Sequence, residues 1–256
     1  MVSRTGSRVR EPSPVVLFDL DDTLMAHREA VESGILLHAG ELGYIPDPDA
    51  AAMQRLWYEL EERHYHAYLA GELSFEGQRR ARARDFAAAH GVDLDDDAAG
   101  AWFATYFERY RESWSLHDDA LPTLDALERE LPGVRFGIIT NGELEFQTAK
   151  LVRLELPGRF SHVVASGAVG VTKPDAAIFR HAIERFAADA PVGAAAYVGD
   201  RLRTDAIGAA HAGLLGVWLN RRGVTPTADE AADAEASGVV EITRLAELPA
   251  LLADRW

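Results

Sequence analysis

Alternation between short apolar runs and segments of helical periodicity constrains the fold of this chain more than any other feature. Runs rich in β-branched and aromatic residues predict strands at 14–18, 134–140, 162–165, 194–199, 214–219 and 239–242. Helical periodicity predicts helices at 143–154, 175–187, 203–211 and 244–252. Repeated strand–helix units form a parallel sheet with helical crossovers. The sequence therefore predicts an α/β fold with a Rossmann-like core.

The segment between the first strand and the rest lacks this alternation. Apolar residues there recur every three to four positions, with breaks at glycine-containing stretches, which predicts about four helices and no strand. We therefore expect an inserted all-helical cap domain at 27–114, a core domain at 14–26 and 115–256, and a flexible tail at 1–13. The Ala- and Asp-rich stretch 227–236 is interpreted as a solvated linker.

Composition excludes several classes of partner. The chain has 41 acidic and 26 basic residues, a formal net charge of −15, so its surface repels nucleic acid. No apolar run approaches the ~18 residues of a membrane helix, and no signal peptide is readable. The absence of cysteine excludes disulfides and thiolate chemistry and suits a reducing compartment. We expect a cytoplasmic protein without membrane or nucleic-acid partners, and its oligomeric state stays open.

Two acids follow the first predicted strand. Asp19 and Asp21 are two positions apart on an extended segment, so their side chains point to the same side. Two neighbouring carboxylates compete for ionisation, and a bound Mg²⁺ relieves that conflict for the acid it contacts. Such a pair can separate a nucleophile from an acid–base group. In the alternative interpretation, Asp21, Asp22 and Thr23 only cap a following helix.

Lysine is rare in this chain. Of the 26 basic residues, only Lys150 and Lys173 are not arginine. Lys173 stands before Pro174 at the start of a predicted helix, where a compact ammonium suits binding to oxyanions. Lys150 lies in the middle of a predicted helix, and we expect it to be a solvated surface residue.

Other polar residues also follow strands. The hydroxyl of Thr140 and the backbone N–H groups of Asn141 and Gly142 are placed to donate to a phosphoryl oxygen beside a helix start. Asp200 follows the strand at 194–199 and can complete an oxygen-rich site for Mg²⁺. Asp205, five positions further on, is expected to support Lys173 or a metal-bound water. Helix capping is the alternative role of Thr140.

In this order, these motifs resemble those of the haloacid dehalogenase-like (HAD) hydrolase superfamily. The matches are FDLDDTL at 18–24, ITNG at 139–142, KP at 173–174 and GD at 199–200 with Asp205. The helical insertion resembles the cap of the subfamily that includes sugar-phosphate and nucleotide phosphatases. Gln147, Lys150 and Leu151 are also similar to residues of that subgroup.

The resemblance implies an aspartyl-phosphate mechanism. Asp19 would be the nucleophile, and Asp21 would protonate the leaving oxygen and then activate water. Mg²⁺ would be held by the carboxylates of Asp19 and Asp200 and by the backbone carbonyl of Asp21. Thr140 and Lys173 would neutralise the charge on the transferring phosphoryl group.

We therefore expect a Mg²⁺-dependent phosphatase that acts on a small phosphorylated metabolite. One alternative is a 2-haloacid dehalogenase, which Asp21 disfavours because the dehalogenases of this superfamily lack an acid two residues after the nucleophile. Another is a non-catalytic, metal-binding regulatory domain, which is disfavoured because every charged motif position is present. Phosphotransfer to a second substrate stays open. Candidate selectivity residues in the cap are Arg55, Trp57, His64 and Tyr68.

Overall fold

The computed structural model describes residues 11–43, 45, 49–156 and 158–256. The chain divides into two compact units, one formed by Met1–Met25 and Leu116–Trp256 and the other by Ala26–Ser115. We call them the core unit and the helical unit. Of the tail expected at 1–13, residues 1–10 lie outside the described part of the chain, and Ser13 already belongs to the first strand.

Four helices make up the described part of the helical unit, which contains no strand. They are α1 (His27–Glu41), α2 (Ala50–Leu69), α3 (Phe75–Ala89) and α4 (Asp96–Glu112). The last three begin at side-chain caps, where the oxygens of Asp49, Ser74 and Asp95 accept backbone N–H bonds of the first turn. Such caps satisfy donors that a helix start leaves without a partner.

Aromatic rings fill the interior of the helical unit. The ring of Trp57 lies 4.5 Å from that of Tyr106 and 5.4 Å from those of Phe86 and Trp102. Trp57 is fully buried in that aromatic core, which favours a packing role over the expected contribution to substrate selectivity. His64 bonds to Asp85 at 2.9 Å, which accounts for its polar position beside the rings.

The core unit is built on a six-stranded parallel sheet in the order β3-β2-β1-β4-β5-β6. Its strands are β1 (Ser13–Phe18), β2 (Arg135–Thr140), β3 (Phe160–Ala165), β4 (Val192–Gly199), β5 (Leu215–Leu219) and β6 (Val240–Ile242). This order is that of a doubly wound Rossmann-type sheet. The predicted α/β class and Rossmann-like core are confirmed. The residues Val15, Val16, Leu17 and Phe18 of the central strand β1 are fully buried. A strand that is covered on both faces of a parallel sheet is apolar along its whole length, and this explains the continuous run.

Helices connect and cover these strands. They are α5 (Ala120–Glu130), α6 (Leu144–Arg153), α7 (Ser166–Val169), α8 (Ala176–Asp189), a π-helix (Leu202–Ile207) continued by α9 (Gly208–His211), α10 (Ala228–Ala236), and a 3₁₀ turn (Leu245–Glu247) continued by α11 (Leu248–Ala253). None of the helices among the described residues combines the length and hydropathy that crossing a membrane requires.

Two of the longer helices differ from the expectations. The stretch 227–236 is not a linker, because a capping box between Thr227 and Glu230 starts a regular helix there. The helix α5 was not expected, although its residues Leu124 and Leu127 are fully buried. Both differences add helix at the surface of the core unit and leave the order of the strands unchanged.

Candidate active site

The carboxyl ends of three neighbouring strands bring the candidate residues together. The central strand β1 pairs with β2 on one side and β4 on the other. Asp19 continues this pairing, because its backbone N–H donates to the carbonyl of Val198 at 2.8 Å. Thr140 ends β2, and Asp200 directly follows β4. These three residues therefore leave the sheet at one edge, where ligands bind in folds of this strand order.

Lys173 is the centre of a buried hydrogen-bonded group. Its Nζ lies 2.6 Å from Oδ1 of Asp19, 2.7 Å from Oδ1 of Asp205 and 2.7 Å from the hydroxyl of Tyr197. Burial alone would lower the pKa of Lys173, but the charges of Asp19 and Asp205 outweigh burial and raise it above its usual value. The ammonium therefore stays protonated. We call Asp19, Lys173, Tyr197 and Asp205 the Lys173 cluster.

Tyr197 ties the Lys173 cluster to the sheet. Its hydroxyl lies 3.0 Å from the carbonyl oxygen of Ile139 and 3.2 Å from Oδ1 of Asp205, so one of these oxygens accepts its proton. Burial, together with the neighbouring acids, raises the pKa of Tyr197 well above its usual value. The phenol therefore stays neutral, and its oxygen accepts a hydrogen bond from the Lys173 ammonium.

Asn141 holds the backbone of Lys173. Its Oδ1 accepts the Lys173 N–H at 2.7 Å, and its Nδ2 donates to the Lys173 carbonyl at 2.9 Å. Both polar atoms of the Asn141 side chain are therefore engaged with the backbone of Lys173. The loop after β2 and the segment that carries Lys173 are joined by this pair of bonds.

Asp205 is brought to the site by the π-helix. The carboxyl group packs against Gly199 so closely that a Cβ at this position would clash with it. Its Oδ2 accepts the backbone N–H of Arg201 at 3.0 Å, and its Oδ1 binds Lys173. The π-helical turn, a feature often found at functional sites, and the missing side chain of Gly199 together place Asp205 beside the strand end.

Three carboxyl groups meet next to the Lys173 ammonium. Asp19, Asp200 and Asp205 each offer an oxygen, and these oxygens lie within 4.8 Å of one another. Burial raises the pKa of Asp19 to about 7, against the opposing effect of Lys173. Burial, and then the charges of Asp205 and Asp19, raise the pKa of Asp200 well above its usual value.

This donor set fits a divalent metal ion. When ionised, three carboxylates beside one ammonium would carry an excess of two negative charges. Burial is the main cause of the raised pKa values of Asp19 and Asp200, and the neighbouring carboxylates raise them further. Carboxylate oxygens are the ligands that hard cations such as Mg²⁺ prefer. A bound divalent ion would balance the charge of the group.

Asp21 belongs to a second group. Lys150 places its Nζ 2.6 and 2.8 Å from the two oxygens of Asp21, and Nε2 of Gln147 lies 3.2 Å from Oδ2. The expectation that Lys150 is solvated is wrong, since this residue is only 1% exposed. The face of α6 that carries it packs inward. We call Asp21, Gln147 and Lys150 the Lys150 cluster.

Two further predicted residues lie where β2 ends. Thr140 is buried, and Gly142 follows two positions later. A Cβ at Gly142 would lie 2.8 Å from Nε2 of Gln147. The missing side chain at this position therefore makes room for the Gln147 amide beside Asp21.

Sequence reasoning missed Lys150, Gln147 and Tyr197 as parts of the site. The signal for Lys150 was present, because the rarity of lysine that singled out Lys173 applies equally to it. Gln147 precedes it by three positions on the same helix face. Tyr197 lies inside an apolar strand, and the sequence contains no sign that its hydroxyl reaches Lys173.

The profile of the haloacid dehalogenase-like hydrolase family matches residues 14–213. The chain belongs to this family. A glyceraldehyde 3-phosphate phosphatase of Pyrococcus abyssi is 33% identical over 218 residues, which cover 80% of each chain. The N-acylneuraminate-9-phosphatase of Homo sapiens is 27% identical over 255 residues, covering 96% of this chain and 94% of the relative.

A solved structure shares the fold of this family member. The HAD-hydrolase YfnB of Bacillus subtilis aligns with a TM-score of 0.74 at 22% identity, over 94% of this chain and 99% of its own. The predicted membership of the HAD superfamily is thereby confirmed on both sequence and fold.

Proposed function

We propose that this HAD hydrolase is a Mg²⁺-dependent phosphatase that hydrolyses a small phosphorylated metabolite through an aspartyl-phosphate on Asp19. The observation that carries the proposal is the Lys173 ammonium, bound to Asp19 and Asp205 within a group of three carboxylates. Two relatives are named as phosphatases of small molecules, glyceraldehyde 3-phosphate and N-acylneuraminate 9-phosphate. We propose a cytoplasmic location as well, since a cysteine-free chain suits a reducing compartment.

In the first step, a carboxylate oxygen of Asp19 attacks phosphorus while the bond from phosphorus to the ester oxygen breaks. Asp21 gives its proton to that leaving oxygen, so that an alcohol departs. Lys173 stays protonated and sits against the attacking carboxylate, where it offsets the charge of the phosphoryl oxygens. Thr140, with the backbone N–H groups of Asn141 and Gly142, donates to the same oxygens.

In the second step, water attacks phosphorus and the bond from phosphorus to the Asp19 oxygen breaks. Asp21, now a carboxylate, accepts the proton of that water, and inorganic phosphate and free Asp19 result. The bonds from Lys150 to both oxygens of Asp21 suit this ionised form. With the proton taken from water, Asp21 is again the acid that the first step of the next cycle requires.

The residues that would hold Mg²⁺ are Asp19 and Asp200 through their carboxylates and Asp21 through its backbone carbonyl. Asp205 would support Lys173 or a metal-bound water, as its bond to Lys173 favours. When bound, the ion supplies positive charge that stabilises the transferring phosphoryl group. We further propose that the helical unit acts as a cap domain, as the inserted helices of this family do.

The test is phosphate release from a panel of phosphomonoesters with Mg²⁺ and with a chelator. Wild-type enzyme should release phosphate only with the metal, and Asp19→Asn should abolish release. Asp254→Asn, an exposed acid near the C-terminus, is the matched control and should retain full activity. Halide release from 2-haloacids without any ester turnover would establish the dehalogenase alternative, and inactivity on both would contradict the proposal and favour the regulatory alternative.

A further inference from the structure

Lys150 transfers no proton and contacts no substrate in the chemistry described so far, yet its environment is unusual for a lysine. Its side chain is buried on α6, and its Nζ lies 4.6 Å from the centre of the Phe146 ring. Removing an ammonium from water costs several kcal/mol unless good geometry compensates. Compensation here comes from a single carboxylate, Asp21, contacted through both of its oxygens.

This geometry fixes the orientation of Asp21. A carboxylate held through one oxygen can still turn, whereas one held through both is restricted about its side-chain bonds. Gln147 adds a third bond, from one turn earlier on α6. The side chain of Asp21 is 27% exposed while that of Lys150 is 1% exposed. The bonds therefore come from the protein interior and leave part of the carboxyl group accessible.

Each of the two lysines binds one of the two acids. Lys173 binds the carboxylate of Asp19, and Lys150 binds that of Asp21. The carboxylate of Asp21 is not a member of the three-carboxylate group. The bonds from Lys150 and Gln147 to Asp21 thus come from residues outside the Lys173 cluster.

We infer that Lys150, assisted by Gln147, is a positioning residue that orients Asp21 for proton transfer to and from the oxygens at phosphorus. The inference rests on the proposed function, since it assigns a partner to its acid–base group. Lys150 transfers no proton itself. It acts on the two steps in which Asp21 gives a proton to the leaving oxygen and takes one from water.

Turnover of two esters whose leaving groups differ in basicity distinguishes a positioning role of Lys150 from a purely structural one. An alkyl phosphate releases a basic alkoxide that needs the Asp21 proton, whereas 2,4-dinitrophenyl phosphate releases a stable phenolate that does not. In Lys150→Met, kcat for glycerol 3-phosphate should fall about 10- to 100-fold, part of the 10²–10⁴-fold that acid–base catalysis contributes. KM should change little, because Lys150 is expected to act after binding.

The pre-steady-state burst separates formation of the aspartyl-phosphate from its hydrolysis. In Lys150→Met, the burst of dinitrophenolate should keep its wild-type rate, and slow steady-state turnover should follow, because the aspartyl-phosphate on Asp19 then accumulates. An equal slowing of the burst and of alkyl ester turnover would overturn the inference, because it indicates general damage to the site. Unchanged kinetics on both esters would overturn it as well.

A double variant tests whether Lys150 acts through Asp21. In the Asp21→Asn background, Lys150→Met should cause no further loss of alkyl phosphate turnover, because the group that it positions is already absent. A full additional loss would contradict the inference. Gln147→Ala should repeat the selective effect more weakly, and it guards against misfolding of Lys150→Met. Arg153→Met, an exposed position on the same helix, is the control.

The outcome for the wild type separates the two proposals. If the wild-type enzyme hydrolyses neither ester, the proposed function fails and the inference fails with it. If the wild type hydrolyses both and Lys150→Met matches it, the inference alone fails.

Discussion

The two lysine clusters of the core unit use the same buried cation in different ways. Lys173 distributes its bonds over three side chains, Asp19, Tyr197 and Asp205. Lys150 directs two bonds to a single carboxylate, Asp21, and Gln147 supplies another. A cation shared by several oxygens balances the charge of a group. A cation that binds one carboxylate through both oxygens fixes the orientation of that carboxylate.

The clusters also differ in their balance of acidic and basic groups. The Lys173 cluster and Asp200 contain three carboxyl groups for one ammonium, whereas the Lys150 cluster pairs one with one. The pKa of Asp19 is raised to about 7 chiefly by burial. We therefore expect metal binding to depend on the carboxylates beside Lys173 and not on the side chain of Lys150.

The largest effect should come from Lys173→Met. Removing this ammonium leaves the buried carboxyl groups of Asp19 and Asp205 without their countercharge, which costs about 3–5 kcal/mol of stability. It also removes a charge from the transferring phosphoryl group, and kcat should fall by at least about 10²–10³-fold. Thermal unfolding and phosphate release measure the two effects. If the variant keeps most of its dinitrophenyl phosphate burst while Lys150→Met loses it, the proposed division of roles is reversed.

Metal binding should distinguish the clusters next. Mg²⁺ at 100 times its dissociation constant should stabilise the protein by about 2.7 kcal/mol, measured as a shift in Tm. The shift should vanish in Asp200→Asn and persist in Lys150→Met. A lost shift in Lys150→Met, or a full shift in Asp200→Asn, would contradict the assignment.

The same metal-dependent shift should increase with pH. Because the folded-state pKa of Asp19 is raised to about 7, its contribution to stability is greatest in acid and is lost as pH rises through that value. Below pH 7 the ion must also displace the Asp19 proton. The Mg²⁺-induced shift in Tm should therefore be smaller at pH 5.5 than at pH 8. An equal shift at both values would argue against Asp19 as a ligand.

A pair of glycine variants gives the smallest and most selective comparison. Gly199→Ala places a methyl group against the Asp205 carboxyl and should lower turnover of every ester about 10-fold or more. Gly142→Ala meets only the end of the flexible Gln147 side chain, so its effect should be smaller and confined to esters with basic leaving groups. Kinetics on the two esters measure both. Equal effects of the two variants on both esters would show that the clusters do not act separately.

Much of the core unit could be predicted from the sequence because its strands are apolar and their ends are polar. The fully buried residues of β1 form a short continuous apolar run rich in β-branched residues, which is typical of a strand buried on both faces. Asp19, Asp200 and Asp205 were expected near one cation, and their oxygens do lie together. Their roles in metal binding and catalysis stay predictions.

The rest depends on packing that periodicity does not show. Lys150 lies mid-helix, where a lysine is ordinarily solvated, and only the docking of α6 beside Asp21 turns it inward. The helix α10 was misjudged because its Ala- and Asp-rich composition suggested a linker, although alanine favours helix and Thr227 begins a capping box. The contact of Tyr197 with Lys173 spans elements that no local pattern connects.

Every member of both lysine clusters comes from the core unit, since all of them lie before Ala26 or after Ser115. Replacing residues 26–115 with the equivalent insertion of another family member would therefore keep every bond described above between the two lysines and Asp19 and Asp21. If the helical unit acts as the proposed cap domain, such chimeras should change substrate preference while the two lysine clusters stay intact.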